Sequence, residues 1–187
     1  MNIGTVEWIK ALDEGQKIKY FGGKTKAALF DAGLLNQEDY FKPLNNIDLS
    51  GIIIPDKTAM NHSIIGDYIL PSKGRPGGRL KSGGHTNKVM AEMQKRGILY
   101  NIIRIDKNGV MFGNVPDHDQ SYKRKGEGQT WFPITWTEHD IMSAGIATAN
   151  KGNWVSSYAK EFKYKNINIR VLFENGRIST ICPSNDQ

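Results

Sequence analysis

The spacing of apolar residues along the chain predicts four helices. Each has an apolar face that repeats every three or four residues, as an amphipathic helix requires. The predicted helices cover residues 5–15, 24–35, 87–96 and 137–150. Gly15 and Gly97 are placed to end the first and third helices, and Thr137 with Asp140 forms an approximate capping box at the start of the fourth.

Strand predictions depend on runs of β-branched and aromatic residues between turn signals. Asn108-Gly109 and Asn175-Gly176 each separate two such runs, and Asn-Gly is the strongest short signal for a hairpin. The predicted strands cover residues 99–106, 110–115, 158–164, 167–173 and 177–182. The run Ile52-Ile53-Ile54, within residues 45–55, predicts one further short, buried strand.

The order of these elements predicts an α+β fold, with helices packed on antiparallel sheets and hairpins, rather than a βαβ alternation. Residues 61–68 fit either a strand or a connector. Residues 71–84 are rich in proline, glycine and basic residues, so a loop is predicted there. We take this loop as the boundary between an N-terminal segment of unclear role, residues 1–70, and a second domain, residues 71–187.

Length and composition exclude several classes of protein. The 187 residues suffice for one ordinary domain with a small extension. The single cysteine, Cys182, excludes an internal disulfide and a multi-cysteine zinc site. No apolar run approaches the roughly 20 residues of a membrane helix, so no membrane partner is expected. Residues 1–4 do not have the pattern of a signal peptide.

Positive charge is concentrated in one part of the chain. The formal net charge is +6, and residues 73–125 contain twelve Lys and Arg against four Asp and Glu. The rest of the chain has thirteen basic and fifteen acidic residues. Phosphate neutralisation and counterion release drive nucleic-acid binding, so this excess suits a polyanionic partner. A solvated surface with uneven charge is the alternative interpretation.

The basic stretch contains the side chains that RNA cleavage without a metal requires. A base must take the proton from the ribose 2′-OH, and an acid must protonate the 5′-oxygen leaving group. Histidine, with an ordinary pKa of about 6.5, suits both roles, and a lysine or arginine can stabilise the phosphorane. The candidates are His85, His118 and the run Lys123-Arg124-Lys125.

Glycines beside His85 support this interpretation, although each residue alone also has a structural explanation. Gly83 and Gly84 would let the backbone approach a phosphate, so Gly84 is a candidate substrate-binding residue. His85 alone fits a turn before a helix, and His118 alone fits a surface position. A helix and a hairpin separate the two histidines, and this path brings the chain back toward its start, so the two rings could face each other.

Other aromatic and histidine residues are weaker candidates. His62 lies beside the predicted boundary and is expected to be structural or a modest contributor to substrate binding. His139, in the first turn of a predicted helix, is expected to be exposed. Trp131 and Trp136 are expected in the core, although with Tyr122 they interleave with basic residues as base-stacking aromatics do. Four histidines without supporting carboxylates do not predict a metal site.

Several motifs in combination resemble those of the bacterial EndoU nuclease domain, over residues 75–183. They are Gly83-Gly84-His85, Asn108-Gly109-Val110, Gly113-Asn114-Val115-Pro116-x-His118, Lys123-Arg124, Gln129-x-Trp131-Phe132-Pro133-x-x-Trp136-Thr137 and Asp140-Ile141. The resemblance implies an endoribonuclease that leaves a 2′,3′-cyclic phosphate, often with uridine preference or with tRNA as target. It also implies that no cofactor is required, although manganese stimulates some members.

The resemblance assigns roles to individual residues. His85 and His118 match the two catalytic histidines, and Lys123 matches the lysine, with Lys125 as the alternative. Thr180 matches a residue that holds a phosphate or ribose oxygen, and Ser179 beside it is a candidate substrate contact.

The base-stacking position departs from the family pattern. Cys182 stands where the family has an aromatic residue, and a thiol cannot stack on a base. Tyr158 or Tyr164 is therefore expected to replace it. Arg124 and Lys125 are expected to bind phosphates of the RNA.

The family occurs at the C-terminus of polymorphic toxins and on phage structural proteins. The resemblance therefore implies a toxin effector or phage-associated nuclease, with RNA and a cognate immunity protein as partners. A specialised delivery route or a virion would carry it to a target-cell cytoplasm. Two alternatives are a non-catalytic nucleic-acid or virion-binding module and a metal-dependent DNase. Only the ribonuclease would leave a cyclic phosphate on cut RNA.

Overall fold

The fold is mixed α+β, as predicted. The computed structural model describes residues 5–187, so the prediction about a signal peptide in residues 1–4 lies outside the described residues. Those described residues form six α-helices and three antiparallel sheets. No helix among them is both long enough and apolar enough to cross a membrane.

The helices form an N-terminal group and three further helices that alternate with strands. They are α1 (Val6–Ala11), α2 (Glu14–Phe21), α3 (Lys24–Asp31), α4 (Lys57–Ile64), α5 (Asn87–Arg96) and α6 (Glu138–Lys151). Short 3₁₀ turns lie at Gln37–Tyr40, Leu44–Asn46 and Ser121–Lys123.

The strands form sheets of two, three and four strands, and neighbours in each sheet are consecutive along the chain. The first sheet pairs β1 (Asp67–Ile69) with β2 (Arg79–Ser82), and the second contains β3 (Asn101–Ile105), β4 (Met111–Asn114) and β5 (Gln129–Trp131). The third contains β6 (Asn153–Ser156), β7 (Ala159–Tyr164), β8 (Ile167–Glu174) and β9 (Arg177–Pro183).

The predicted end of the first helix is wrong. Gly15 does not stop a helix, because α1 ends at Ala11 and Gly15 lies in the first turn of α2. Asp13 and Gln16 form a capping box that starts α2, with the Asp13 side chain accepting from the Gln16 N–H. The predicted second helix is shorter than expected and ends at Asp31.

The predicted strand at Ile52-Ile53-Ile54 is also wrong. This segment belongs to no sheet. Asn150 instead satisfies its backbone, since Asn150 Oδ1 accepts from Ile53 N–H at 2.8 Å and Asn150 Nδ2 donates to Ile53 O at 2.8 Å. An apolar run of this length can be buried by packing without a ladder partner, which periodicity alone cannot distinguish.

Residues 61–84 contain more regular structure than the sequence predicted. The undecided stretch 61–68 is the end of α4 followed by the start of β1. The predicted loop 71–84 contains β2, in which Ser82 pairs with Asp67 of β1. This two-stranded sheet joins the two sides of the expected domain boundary.

The remaining predictions after residue 85 are confirmed, with two strands missed. The helix that Gly97 ends, the Asn108-Gly109 hairpin, the helix capped by Thr137 and the three C-terminal strands are all present. The sequence prediction missed β5 and β6, which are only three and four residues long.

The N-terminal helices share one hydrophobic core with the C-terminal sheet. Ile9, Ala28 and Leu29 are fully buried in the same cluster as Ile146 and Ile169. Polar contacts also cross this interface, and they include the His139–Asp31 pair described below. The helix α3 packs against α6, which in turn packs on β7 and β8, so the N-terminal helices belong to the same core as the third sheet.

Candidate active site

The end of α4 anchors the loop that carries His85. The Gly84 N–H donates to His62 O at 2.8 Å, and the His85 N–H donates to Ser63 O at 2.7 Å. These carbonyls belong to the last turn of α4, where no intrahelical donors remain for them. The loop thus supplies the hydrogen bonds that the helix end lacks, and it brings His85 beside His62.

Glycine is required in this loop by backbone conformation and by contact. Gly83 and Gly84 have φ values of +68° and +67°, which L side chains rarely adopt. A Cβ atom at Gly83 would lie 2.2 Å from His62 O and 2.8 Å from His62 Nε2. The His62 ring therefore lies directly against the loop that carries His85.

A cleft of about 490 Å³ opens beside this loop. Four of the sequence-predicted residues line it: His85, Lys123, Tyr158 and Thr180. The other lining residues come from α4, the end of β2 and its following loop, residues 120–130 and the third sheet. They include His62, Ser82, Gly83, Gln120, Tyr122, Gly128, Arg170 and Cys182.

One ring nitrogen of His85 forms a hydrogen bond with the backbone, which fixes the orientation of the ring. Its Nδ1 lies 2.7 Å from Thr130 O, and because a carbonyl only accepts, Nδ1 must donate. In the neutral ring Nε2 then carries the free lone pair. Burial, reinforced by the Lys123 ammonium, holds the pKa of His85 well below its usual range. Gln129 also stabilises this loop, since its Nε2 donates to Gly84 O at 2.8 Å.

His62 has a carboxylate partner. Its Nδ1 lies 2.9 Å from Asp67 Oδ2, and the Ser82 hydroxyl donates to the same oxygen at 3.3 Å. The carboxylate accepts from Nδ1 and so directs the opposite edge of the ring, with Nε2, toward Gly83. The cleft thus has two histidines at its edge, each with Nδ1 bound to an oxygen acceptor.

Lys123 is a buried cation in the wall of the cleft. Its residue is 7% exposed, and it forms no ion pair with a carboxylate among residues 5–187. Burial lowers the pKa of Lys123 to about 8. A desolvated ammonium group without a counterion is a suitable partner for an anionic phosphate. Lys125, the alternative lysine, is exposed and does not line the cleft.

His118 lies behind the cleft rather than in its wall. It is fully buried, and Gln120 N–H donates to its Nδ1 at 2.9 Å, so the ring proton is on Nε2. No group among the described residues accepts from this Nε2. Burial, together with Lys123, lowers the pKa of His118 to about 3. Arg124 donates to His118 O at 2.6 Å, which ties His118 into the loop that presents Lys123.

The C-terminal strand contributes Thr180 and Cys182 to the cleft. The Thr180 hydroxyl forms no hydrogen bond within residues 5–187, and Cys182 is buried. Tyr158, which is 59% exposed, lines the cleft as expected for a base-stacking residue. Tyr164 does not line it, because its ring packs edge-on against Trp136 in the core. Ser179 faces a neighbouring groove.

Two weaker sequence predictions have clear outcomes. The prediction that His139 is exposed is wrong. His139 is buried, and its Nε2 binds Asp31 Oδ2 at 2.8 Å where α6 meets the N-terminal helices. Trp131 is fully buried, and the ring of Trp136 stacks on that of Phe132 with 5.1 Å between the ring centroids. Both tryptophans therefore contribute to the core, as the sequence predicted. Tyr122, at 64% exposure, is the aromatic of that group that reaches the cleft.

Much of the basic excess is neutralised locally. Arg79 pairs with Asp119 at 2.5 Å, and Arg104 pairs with Glu127 at 2.8 Å. Other pairs in the basic stretch are Arg75–Asp117, Lys88–Glu138 and Arg96–Glu92. The buried Lys123 in the cleft is therefore more informative than the total charge of the stretch.

Sequence reasoning did not place His62 at the cleft with His85. Its position depends on the β1–β2 pairing, which brings Asp67 opposite Ser82 and closes the sheet over the end of α4. The prediction of a loop over residues 71–84 removed that pairing. The chain order His62, Asp67 and then Gly83-Gly84 is the only local signal, and no periodicity marks it.

The residues that the structure describes do not form a metal site. Among residues 5–187 no three His, Cys, Asp or Glu side chains lie close enough together to hold a metal ion. The two histidines that line the cleft, His62 and His85, each use Nδ1 in a hydrogen bond to an oxygen, Asp67 Oδ2 and Thr130 O respectively. The manganese that stimulates some members of the family that the chain resembles therefore has no matching donor set among residues 5–187.

One comparison with known proteins gave a match. A search of curated proteins and a search of solved structures found nothing similar to this chain. The family model described as "Bacterial EndoU nuclease" matches residues 57–185, which is more than half of the chain and contains every residue of the cleft. The chain therefore belongs to the bacterial EndoU nuclease family.

Proposed function

We propose that this nuclease cleaves single-stranded RNA by attack of a ribose 2′-OH on the adjacent phosphate, leaving a 2′,3′-cyclic phosphate. The observation that carries the proposal is the meeting of His62, His85 and Lys123 at one cleft. Two imidazoles and an ammonium group are the side chains that this reaction needs.

His85 acts as the base in this proposal. With Nδ1–H bound to Thr130 O, its Nε2 lone pair is the free acceptor for the 2′-OH proton. The low pKa of His85 keeps the ring neutral, and therefore able to accept a proton, at neutral pH. The 2′-oxygen then forms its bond to phosphorus as the bond to the 5′-oxygen breaks.

His62 acts as the acid, and so replaces His118 as the second catalytic histidine that the sequence predicted beside His85. A carboxylate such as Asp67 is a natural partner for a ring that must carry a proton to the leaving 5′-oxygen. Lys123 stabilises the negative charge on the phosphorane, and the Thr180 hydroxyl donates to a phosphate or ribose oxygen. His118 supports the loop that presents Lys123.

Tyr122 and Tyr158 define the class of substrate. Both are exposed at the cleft, and base stacking on tyrosine requires an unpaired nucleotide. Single strands and the loops of tRNA meet this requirement. Because Cys182 cannot stack, base preference is expected to depend on these tyrosines. Arg124 and Lys125 remain predicted phosphate contacts.

A biological role as a toxin effector or phage-associated nuclease extends the proposal. It predicts that a cognate immunity protein abolishes the activity when added in equal amounts.

The product ends test the proposal. The full chain is incubated with 5′-labelled RNA and a chelator, and mass spectrometry identifies the new ends. A 2′,3′-cyclic phosphate is expected, and it should be lost in His85→Ala and when the nucleotide before the cut carries a 2′-deoxy sugar. Products with 3′-hydroxyl ends, or uncut RNA, would contradict the proposal.

A further inference from the structure

Three elements of the proposed active site meet at one buried residue, Ser63. Ser63 follows His62 in α4 and is fully buried. Its carbonyl accepts from His85 N–H at 2.7 Å, and its hydroxyl accepts from Ile181 N–H at 2.8 Å. Ile181 directly follows Thr180 on β9.

The Ser63 hydroxyl is oriented by its own helix. It donates to Ala59 O at 2.7 Å, one turn earlier in α4, so its lone pairs remain available to Ile181. The Ile181 amide is buried and takes the Ser63 oxygen as its acceptor. Loss of the hydroxyl would leave that N–H unsatisfied or force β9 to move.

The paired strands do not supply this connection. Register pairs Ile181 with Val171 of β8, whereas the Ile181 N–H donates to Ser63 of α4, which packs against β9. Ser63 is thus a direct hydrogen-bond link from the helix that carries His62 to the strand that carries Thr180. The same residue also fixes the backbone of His85.

We propose that Ser63 is a positioning residue, which holds His62, His85 and Thr180 at the spacing that the reaction requires. Ser63 does not line the cleft, and it is fully buried, so it offers no surface to a substrate. This inference depends on the proposed function of the cleft. It predicts a change in kcat rather than in KM, since misplacement of a reacting group by about 1 Å can cost roughly 10²-fold in rate.

The experiment compares Ser63→Thr with Ser63→Val in the full chain. The two side chains have nearly the same shape, and only threonine keeps the hydroxyl. Turnover of a labelled RNA is measured at temperatures where both variants are folded. We expect kcat to be about 10-fold or more lower for the valine variant, with KM within about twofold, because the substrate contacts are unchanged.

Ser143 provides a matched control. It is also a fully buried helical serine, and its hydroxyl donates to His139 O, one turn earlier, at 2.8 Å. It lies on α6 and does not line the cleft. Ser143→Thr and Ser143→Val should differ in melting temperature but not in kcat of the folded protein.

Equal kcat for Ser63→Thr and Ser63→Val would overturn the inference. If the added methyl group prevents folding, the smaller Ser63→Ala variant takes the place of valine, and wild-type kcat in Ser63→Ala would overturn the inference equally. Failure of the proposed function is distinct, because the wild-type chain itself would then leave no cyclic phosphate.

Discussion

Asp67 Oδ2 lies 2.9 Å from Nδ1 of His62, and the His62 side of this pair lines the same cleft as His85. A carboxylate that accepts from Nδ1 fixes the direction of Nε2. The proposed acid is therefore oriented by a side chain from β1, not by its own helix.

Asp67→Asn should lower kcat by roughly 10-fold or more and leave KM nearly unchanged. The amide keeps the shape of the side chain but removes the charge that accompanies a protonated ring, and general acids contribute about 10²–10⁴-fold. Asp117→Asn, which affects an exposed ion pair with Arg75, is the control and should keep wild-type kcat. Wild-type kcat in Asp67→Asn would exclude the orienting role.

Lys123→Met should raise the pKa of His85. The Lys123 ammonium is, after burial, the main cause that lowers this pKa, so its removal makes the imidazolium less unfavourable. NMR titration of the histidine C2 protons measures the change without relying on activity. Lys125→Met should leave the titration of His85 as it is in the wild type. An unchanged His85 titration in Lys123→Met would show that the two groups do not interact.

Lys123→Met should also reduce kcat by roughly 10²-fold or more, because a fixed positive group that stabilises the transition state is lost. Lys123→Met protein must be shown to be folded by circular dichroism. Activity close to that of the wild type would remove Lys123 from the proposed site.

His118 should make stability depend on pH. Its pKa of about 3 in the folded protein lies below the value of about 6.5 in an unfolded chain. The stabilisation by neutral His118 is therefore complete above pH ~6.5 and is lost as the pH falls toward 3. Between pH 7 and pH 5 the wild type should lose about 2 kcal/mol more unfolding free energy than His118→Gln. Urea unfolding curves at both pH values measure the unfolding free energies. Equal losses in the wild type and in His118→Gln would contradict the prediction.

The N-terminal helices should be necessary for folding. A chain that begins at residue 57, where the family match starts, lacks Ile9, Ala28 and Leu29 from the shared core. We expect this truncated chain to show no cooperative thermal unfolding. In the full chain, Leu29→Ala should cost roughly 2–5 kcal/mol, as for other fully buried leucines. A truncated chain that melts at the wild-type temperature would show that residues 5–56 are a separate unit.

The sequence predicted best where local signals and final packing agree. Gly97, Asn108-Gly109 and the Thr137 cap each specify a local conformation, and each is found where it was predicted. The Ile52–Ile54 run failed because its partner is the side chain of Asn150, 97 residues away. A local pattern contains no information about such a contact.

The candidate site shows the same limit. His85, Lys123 and Thr180 were identified from composition and from the resemblance, and they line one cleft. The second histidine could not be chosen from spacing, because the charges of His62 and His118 both act on His85 and lower its pKa. Burial separates them: His118 is sealed behind the loop, and His62 is at the cleft.

The most direct test of the account compares turnover by His62→Ala and His118→Gln on the same labelled RNA, corrected for the folded fraction of each variant. The account predicts that His62→Ala loses about 10²-fold or more in kcat, whereas folded His118→Gln retains most of the wild-type rate. Retained activity in His62→Ala together with loss of activity in folded His118→Gln would contradict it.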